Sequence, residues 1–146
     1  VGEVSPEDLE AYRRASIRIE PLQIQDEYVR VPSDLAYWTE MHATIYREWQ
    51  LAKFSREQEW GAAVNRARSE LSSRGGKATV SDVEAYAIND PAYVKAKRDE
   101  VHLEAERQRL LGMVEAVRTK RDMLVSLGAH IRAELEHDPI IKEREL

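Results

Sequence analysis

Basic side chains gather around a pair of glycines: Arg66, Arg68, Arg74 and Lys77 precede or flank Gly75-Gly76. Between Gly61 and Ser81 the only acid is Glu70, so four positive charges stand against one negative, a local +3. Guanidinium groups in such a cluster bind phosphate oxygens, and the amides of a glycine turn add further donors. Tyr86 and Tyr93 follow and offer faces on which unpaired bases stack. The chemistry open to this cluster is capture of a nucleic-acid strand through salt-sensitive contacts that ignore base sequence. The plainer reading is that Arg66 and Arg68 only solubilise a helix end while both tyrosines fill core.

Other constellations lead nowhere comparable. Glu134-Leu135-Glu136-His137 has the Glu-x-x-His spacing of di-iron carboxylate bundles, and Asp99-Glu100-Val101-His102 is a looser echo. Such centres need two motifs on facing helices plus further glutamates. Here both fall on one helix, with His102 and His137 35 residues apart, so no metal centre is expected within a subunit. The acids read as a solvated face, and His137 suits the negative end of a helix. Arg74-Gly75-Gly76-Lys77 lacks the frame of a phosphate-binding P-loop. The absence of Cys excludes thiolate nucleophiles, disulfides and Cys-based zinc sites. No enzyme and no cofactor are expected.

The totals fit long helices with wide wet faces. Of 146 residues, 42% are hydrophobic, 7% aromatic and 34% charged, and the mean hydropathy is -0.60. A single helical domain is expected over residues 1–146. No apolar run approaches the roughly 20 residues of a membrane span, and no charged-then-apolar leader opens the chain. The expected location is the cytoplasm, that of a host cell if the gene is carried by a phage. The net charge of -5 argues against a duplex-DNA binder, which is usually basic overall.

The elements that must position the basic cluster are legible from their caps. Ser5-Pro6-Glu7-Asp8 starts a short helix expected to reach about Ala15. Ile17-Arg18-Ile19 alternates with period 2, as a strand or extended chain, and completes an N-terminal segment over 1–31. Pro32-Ser33-Asp34 predicts the start of a long helix over 33–72, with Trp38, Met41, Ile45, Trp49, Ala52, Trp60, Val64, Ala67 and Leu71 at helical spacing. Residues 73–90 hold the Gly-Gly turn and a short helix capped by Thr79 with Asp82 three residues on. Asp90-Pro91 starts a second long helix over 91–137, ended by Asp138-Pro139, with a tail over 138–146. In that helix Leu103, Leu110, Val117, Leu124 and Ile131 recur every seven residues, the mark of a coiled-coil seam. The expected fold is all-α: a long antiparallel helical hairpin with short helices at its N-terminus and tip, oligomerising through that seam. Lys95, Lys97 and Arg98 would lie near the turn, leaving the acids of 134–145 at the other end.

Beyond these local signals, the order of several segments resembles the UvsY-type recombination mediators of phages. The matching parts are Glu7-Asp8-Leu9-Glu10, Ile17-Arg18-Ile19-Glu20, the Tyr- and Trp-rich long helix, and Arg66-Ala67-Arg68 six residues ahead of Arg74-Gly75. Then come Ser81-Asp82-Val83-Glu84-Ala85-Tyr86, Asp90-Pro91-Ala92-Tyr93 and Lys120-Arg121-Asp122-Met123-Leu124, so the likeness covers most of 7–137. It implies a ring-like homo-oligomer that binds single-stranded DNA and helps load a RecA-type recombinase onto strands covered by single-strand-binding protein. Arg66 and Arg68 match the family's basic pair before the turn, where DNA contacts lie; Arg74 and Lys77 join them by proximity. The departure is charge, since -5 stands against a ring that wraps DNA. The competing expectation is a structural, scaffolding or chaperone-like helical protein of a phage.

Overall fold

The structure, a computed structural model, describes residues 5–137. Its elements are α1 (Pro6–Ile17), a 3₁₀ turn (Pro21–Gln23), α2 (Ile24–Ser73), α3 (Val80–Ala87) and α4 (Pro91–His137). Among the described residues every regular element is helical, as the caps and periodicity require. Of the two readings for Ile17-Arg18-Ile19, strand fails: Ile17 closes α1 and Arg18 is extended, with φ -72° and ψ 138°. The stop at Asp138-Pro139 and the tail over 138–146 lie outside the described residues. No described helix is long and apolar enough to cross a membrane.

One boundary is corrected. Pro32 does not open the first long helix; it lies inside α2, which begins at Ile24. Proline in a helix interior removes one backbone hydrogen bond and crowds the preceding turn, at a cost of about 3 kcal/mol. What outweighs it is one buried stripe. Glu27, Val31, Asp34 and Trp38 are all buried, and their spacing of four, three and four keeps them on a single face only if the helix is continuous. A break at Pro32 would turn Trp38 away from its neighbours.

The described chain forms two compact units, and each long helix contributes a segment to both. Among the described residues the first comprises 5–40 and 110–137. Here Tyr12 of α1 stacks on Trp38, with ring centroids 5.5 Å apart, and meets Tyr37 edge-on at 5.1 Å. The Tyr12 hydroxyl donates to Asp34 Oδ1 at 2.9 Å. Burial and that carboxylate both raise its pKa. The unit also buries an ion pair, Lys120 Nζ to Glu27 Oε2 at 2.5 Å, with the ammonium 3.5 Å from the Ala15 carbonyl. Gly128 leaves room for Tyr28: a Cβ there would stand 3.1 Å from the phenolic oxygen.

The same unit takes up much of the proposed oligomer seam. Val117 and Leu124 are 0% exposed and Leu110 is 5% exposed within one chain, while Leu103 and Ile131 are half-buried. The periodicity is real, but the chain's own apolar surface covers the middle of the stripe. Three of the five seam residues are thus buried within a single chain.

The second unit comprises residues 41–109. Trp60 packs on Tyr93 at 5.0 Å, Arg56 Nε meets Glu100 Oε2 at 3.0 Å, and the Arg107 guanidinium lies 4.8 Å from the Trp49 ring centre. Each step back along α2 is thus a step forward along α4. The helices run in opposite directions through this unit.

Candidate nucleic-acid interface

The basic cluster sits where α2 ends, the chain turns, and α3 leads into α4. Ala63 and Ala67 on α2 and Val83 and Ala87 on α3 form a buried cluster, flanked by Trp60, Val64, Leu71 and Tyr93. Three alanines in that contact let the short helix lie close against α2. The reversal before it uses Gly75 at φ 82°, a left-handed conformation that side chains disfavour. Its amide donates to the Ser72 carbonyl at 3.2 Å, which closes the last turn of α2.

Both later helix starts are capped as the sequence leads one to expect. The Asp82 amide donates to Thr79 Oγ1 at 3.2 Å, and the Thr79 amide donates to Asp82 Oδ2 at 2.9 Å. This reciprocal box, with the Thr79 hydroxyl donating too, lowers the Asp82 pKa. At the start of α4, Asp90 Oδ1 accepts from the Ala92 and Tyr93 amides at 3.0 and 3.2 Å.

Asp90 does a second job that local reading missed. Arg66 donates to both its oxygens, Nε to Oδ2 at 2.7 Å and Nη2 to Oδ1 at 2.8 Å. The Arg66 hydrogen bonds, helped by the two amides, hold the Asp90 carboxyl down to about 2, and Asp90 in turn raises the Arg66 pKa. Glu59 adds a looser contact to Arg66 at 3.5 Å. Arg74 is paired as well: its Nη2 and Nε reach Glu70 Oε1 at 2.9 and 3.2 Å. Its guanidinium also lies 5.6 Å from the centre of the Tyr86 ring.

These pairs change the electrostatics. An open groove of about 1420 Å³ is lined by Arg66, Arg74 and Lys77, but also by Glu70, Asp82 and Asp90. Three cations face three carboxylates, so the groove is balanced where a count along the chain gave a surplus of three. Two things remove the surplus: the chain reversal brings Asp82 and Asp90 to the groove, and Arg68 lies outside it. Lys95 and Lys97 are likewise engaged, with Asp99 at 3.1 Å and Glu100 at 3.0 Å.

What remains is narrower. Among the described residues neither Arg68 nor Lys77 has a carboxylate within 4.0 Å. Both line a recess of about 480 Å³ with Ser72, Gly76, Thr79 and Glu84. Tyr86 is 41% exposed, whereas Tyr93 is half-buried against Trp60 and belongs to the packing.

The chain matches no family model, no curated protein and no solved structure. What the tip can bind follows from its own side chains. Of the four cations assigned to strand binding, Arg66 is paired with Asp90 and Glu59 and Arg74 with Glu70, while among the described residues Arg68 and Lys77 have no carboxylate within 4.0 Å. In the second acid–histidine motif Glu134 pairs with His130 at 3.1 Å, and the His137 ring meets the Ala133 carbonyl at 2.7 Å. Among the described residues no three His, Asp or Glu side chains converge on a cation position.

Proposed function

We propose that this chain is a recombination mediator with no turnover of its own. In this reading it is a homo-oligomer that holds single-stranded DNA and helps load a RecA-type recombinase onto strands coated by single-strand-binding protein. The observation that carries it is the pair of exposed cations Arg68 and Lys77, which have no carboxylate partner among the described residues, with the accessible Tyr86 ring lining the groove that Lys77 also reaches. Phosphates would sit on the two cations while a base stacks on Tyr86. Repetition around a ring would multiply a contact too small to act alone. The order of the segments that resemble the mediator family supports the same reading.

Fluorescence anisotropy with a labelled oligonucleotide tests it at low and high salt. Binding is expected at low salt and should fall steeply as salt rises, by about 0.7 log units per tenfold salt for each phosphate contact. The Arg68→Ala/Lys77→Ala variant should bind more weakly and with a flatter slope. Absence of binding at low salt, or a slope untouched by the double variant, would remove DNA from the account.

A second reading, a scaffolding or chaperone-like helical protein, draws on the charge balance of the large groove. There the arginines serve the fold and solubility, and the exposed apolar side chains do the binding.

A further inference from the structure

Phe54 is the only phenylalanine in the chain. It is 58% exposed, and Leu51, one helical turn away, is 62% exposed. In this unit α2 packs through Trp49, Arg56, Trp60 and Ala63. At roughly 100° per residue, Leu51 and Phe54 fall on the opposite side of the helix from that packing face. A large aromatic and a leucine adjoining on the wet side of a charged helix form an apolar spot that solvation does not explain. Around them Ala43, Arg47, Gln58 and Gly61 are also exposed.

We infer that this outer face of α2, from Ala43 to Ala62, is a contact surface for a second copy of the chain, laid antiparallel across a two-fold axis between Leu51 and Phe54. The inference rests on the homo-oligomeric part of the reading above and names a two-fold contact within it; a ring needs a further contact between such pairs. Self-pairing is singled out because the face complements itself. A two-fold axis at that midpoint sets Leu51 of each copy against Phe54 of the other, and Ala43 against Ala62, so small residues at both ends let the helices approach. It also sets Arg47 against Gln58, one residue from Glu57. Among the described residues Arg47 has no carboxylate within 4.0 Å, and the cation paired with Glu57, Arg56, stands 3.6 Å away. The second copy supplies the missing partner twice over.

Sedimentation velocity over a concentration series reads the contact directly. The wild-type chain should self-associate. Leu51→Glu/Phe54→Glu should weaken that by about 100-fold or more, with helical circular dichroism unchanged because both side chains are exposed. Arg47→Glu should weaken it by about tenfold, and Arg47→Glu/Glu57→Arg should restore it. An oligomer that survives Leu51→Glu/Phe54→Glu overturns this surface and leaves the mediator reading standing. A wild-type chain monomeric at about 100 μM overturns both. A wild-type oligomer that depends on this face yet binds no oligonucleotide upholds the surface and removes the mediator reading.

Discussion

Arg66 shows how a side chain chosen for ligand chemistry turns out to serve the fold. Its two hydrogen bonds to Asp90 join residues 24 apart and tie the end of α2 to the start of α4. Replacing it would loosen the tip, so a loss of DNA binding in an Arg66 variant would not report a DNA contact; Arg68 and Lys77 are the informative positions. The pair also has a pH signature. Asp90 falls from its ordinary 3.8 to about 2 because Arg66 favours its charged form. A carboxyl depressed in the folded state contributes stability above its unfolded pKa, and that contribution is lost as pH falls through the folded value. Asp90→Asn keeps an oxygen for the cap and removes the ion pair. At neutral pH the wild type should therefore melt above Asp90→Asn, and the gap should close between pH 3.8 and about 2. Glu104, held at about 2 by Arg107, titrates in both proteins and cancels from the difference. A gap that ignores pH would mean the ion pair is not what separates them.

At the level of elements, caps and turns were legible because each is settled within about four residues. Ser5 accepts from the Asp8 amide at 3.1 Å, Thr79 and Asp82 close their reciprocal box, and Gly75 takes the left-handed turn. Pro32 is the instructive failure. A local rule made it a helix start, but the buried stripe from Glu27 to Trp38 holds α2 continuous through it. The penalty should then be recoverable: Pro32→Ala restores an amide donor at an exposed position and should stabilise the protein by up to ~3 kcal/mol in urea unfolding. A loss of stability would show that the proline ring itself is needed by the packing around Val31. The heptad of α4 carries the complementary lesson. Its spacing reads as a seam for other subunits, while Leu110, Val117 and Leu124 are buried within the chain; periodicity is silent on whether the covering surface comes from the same chain or another copy.

On the scale of the molecule, a buried ion pair joins segments far apart in sequence. Lys120 and Glu27 are 93 positions apart and both buried. Removing one partner leaves an uncompensated charge in the interior, so Glu27→Gln should cost about 3–5 kcal/mol. Glu27→Leu/Lys120→Met, which removes both charges, should be near neutral or stabilising. Equal losses from the single and double changes would show that packing, not charge, is at stake there.

Helix content, the caps, the glycine reversal and the apolar spacing all follow from contacts between near neighbours, which the order of residues states directly. The pairing of Arg66 with Asp90, the neutral balance of the large groove, the burial of the heptad stripe and the buried Lys120–Glu27 pair do not. Each depends on surfaces brought together when distant segments pack. Coulomb attraction and the cost of stripping water from charges act on distance in space, and only the folded chain sets that distance.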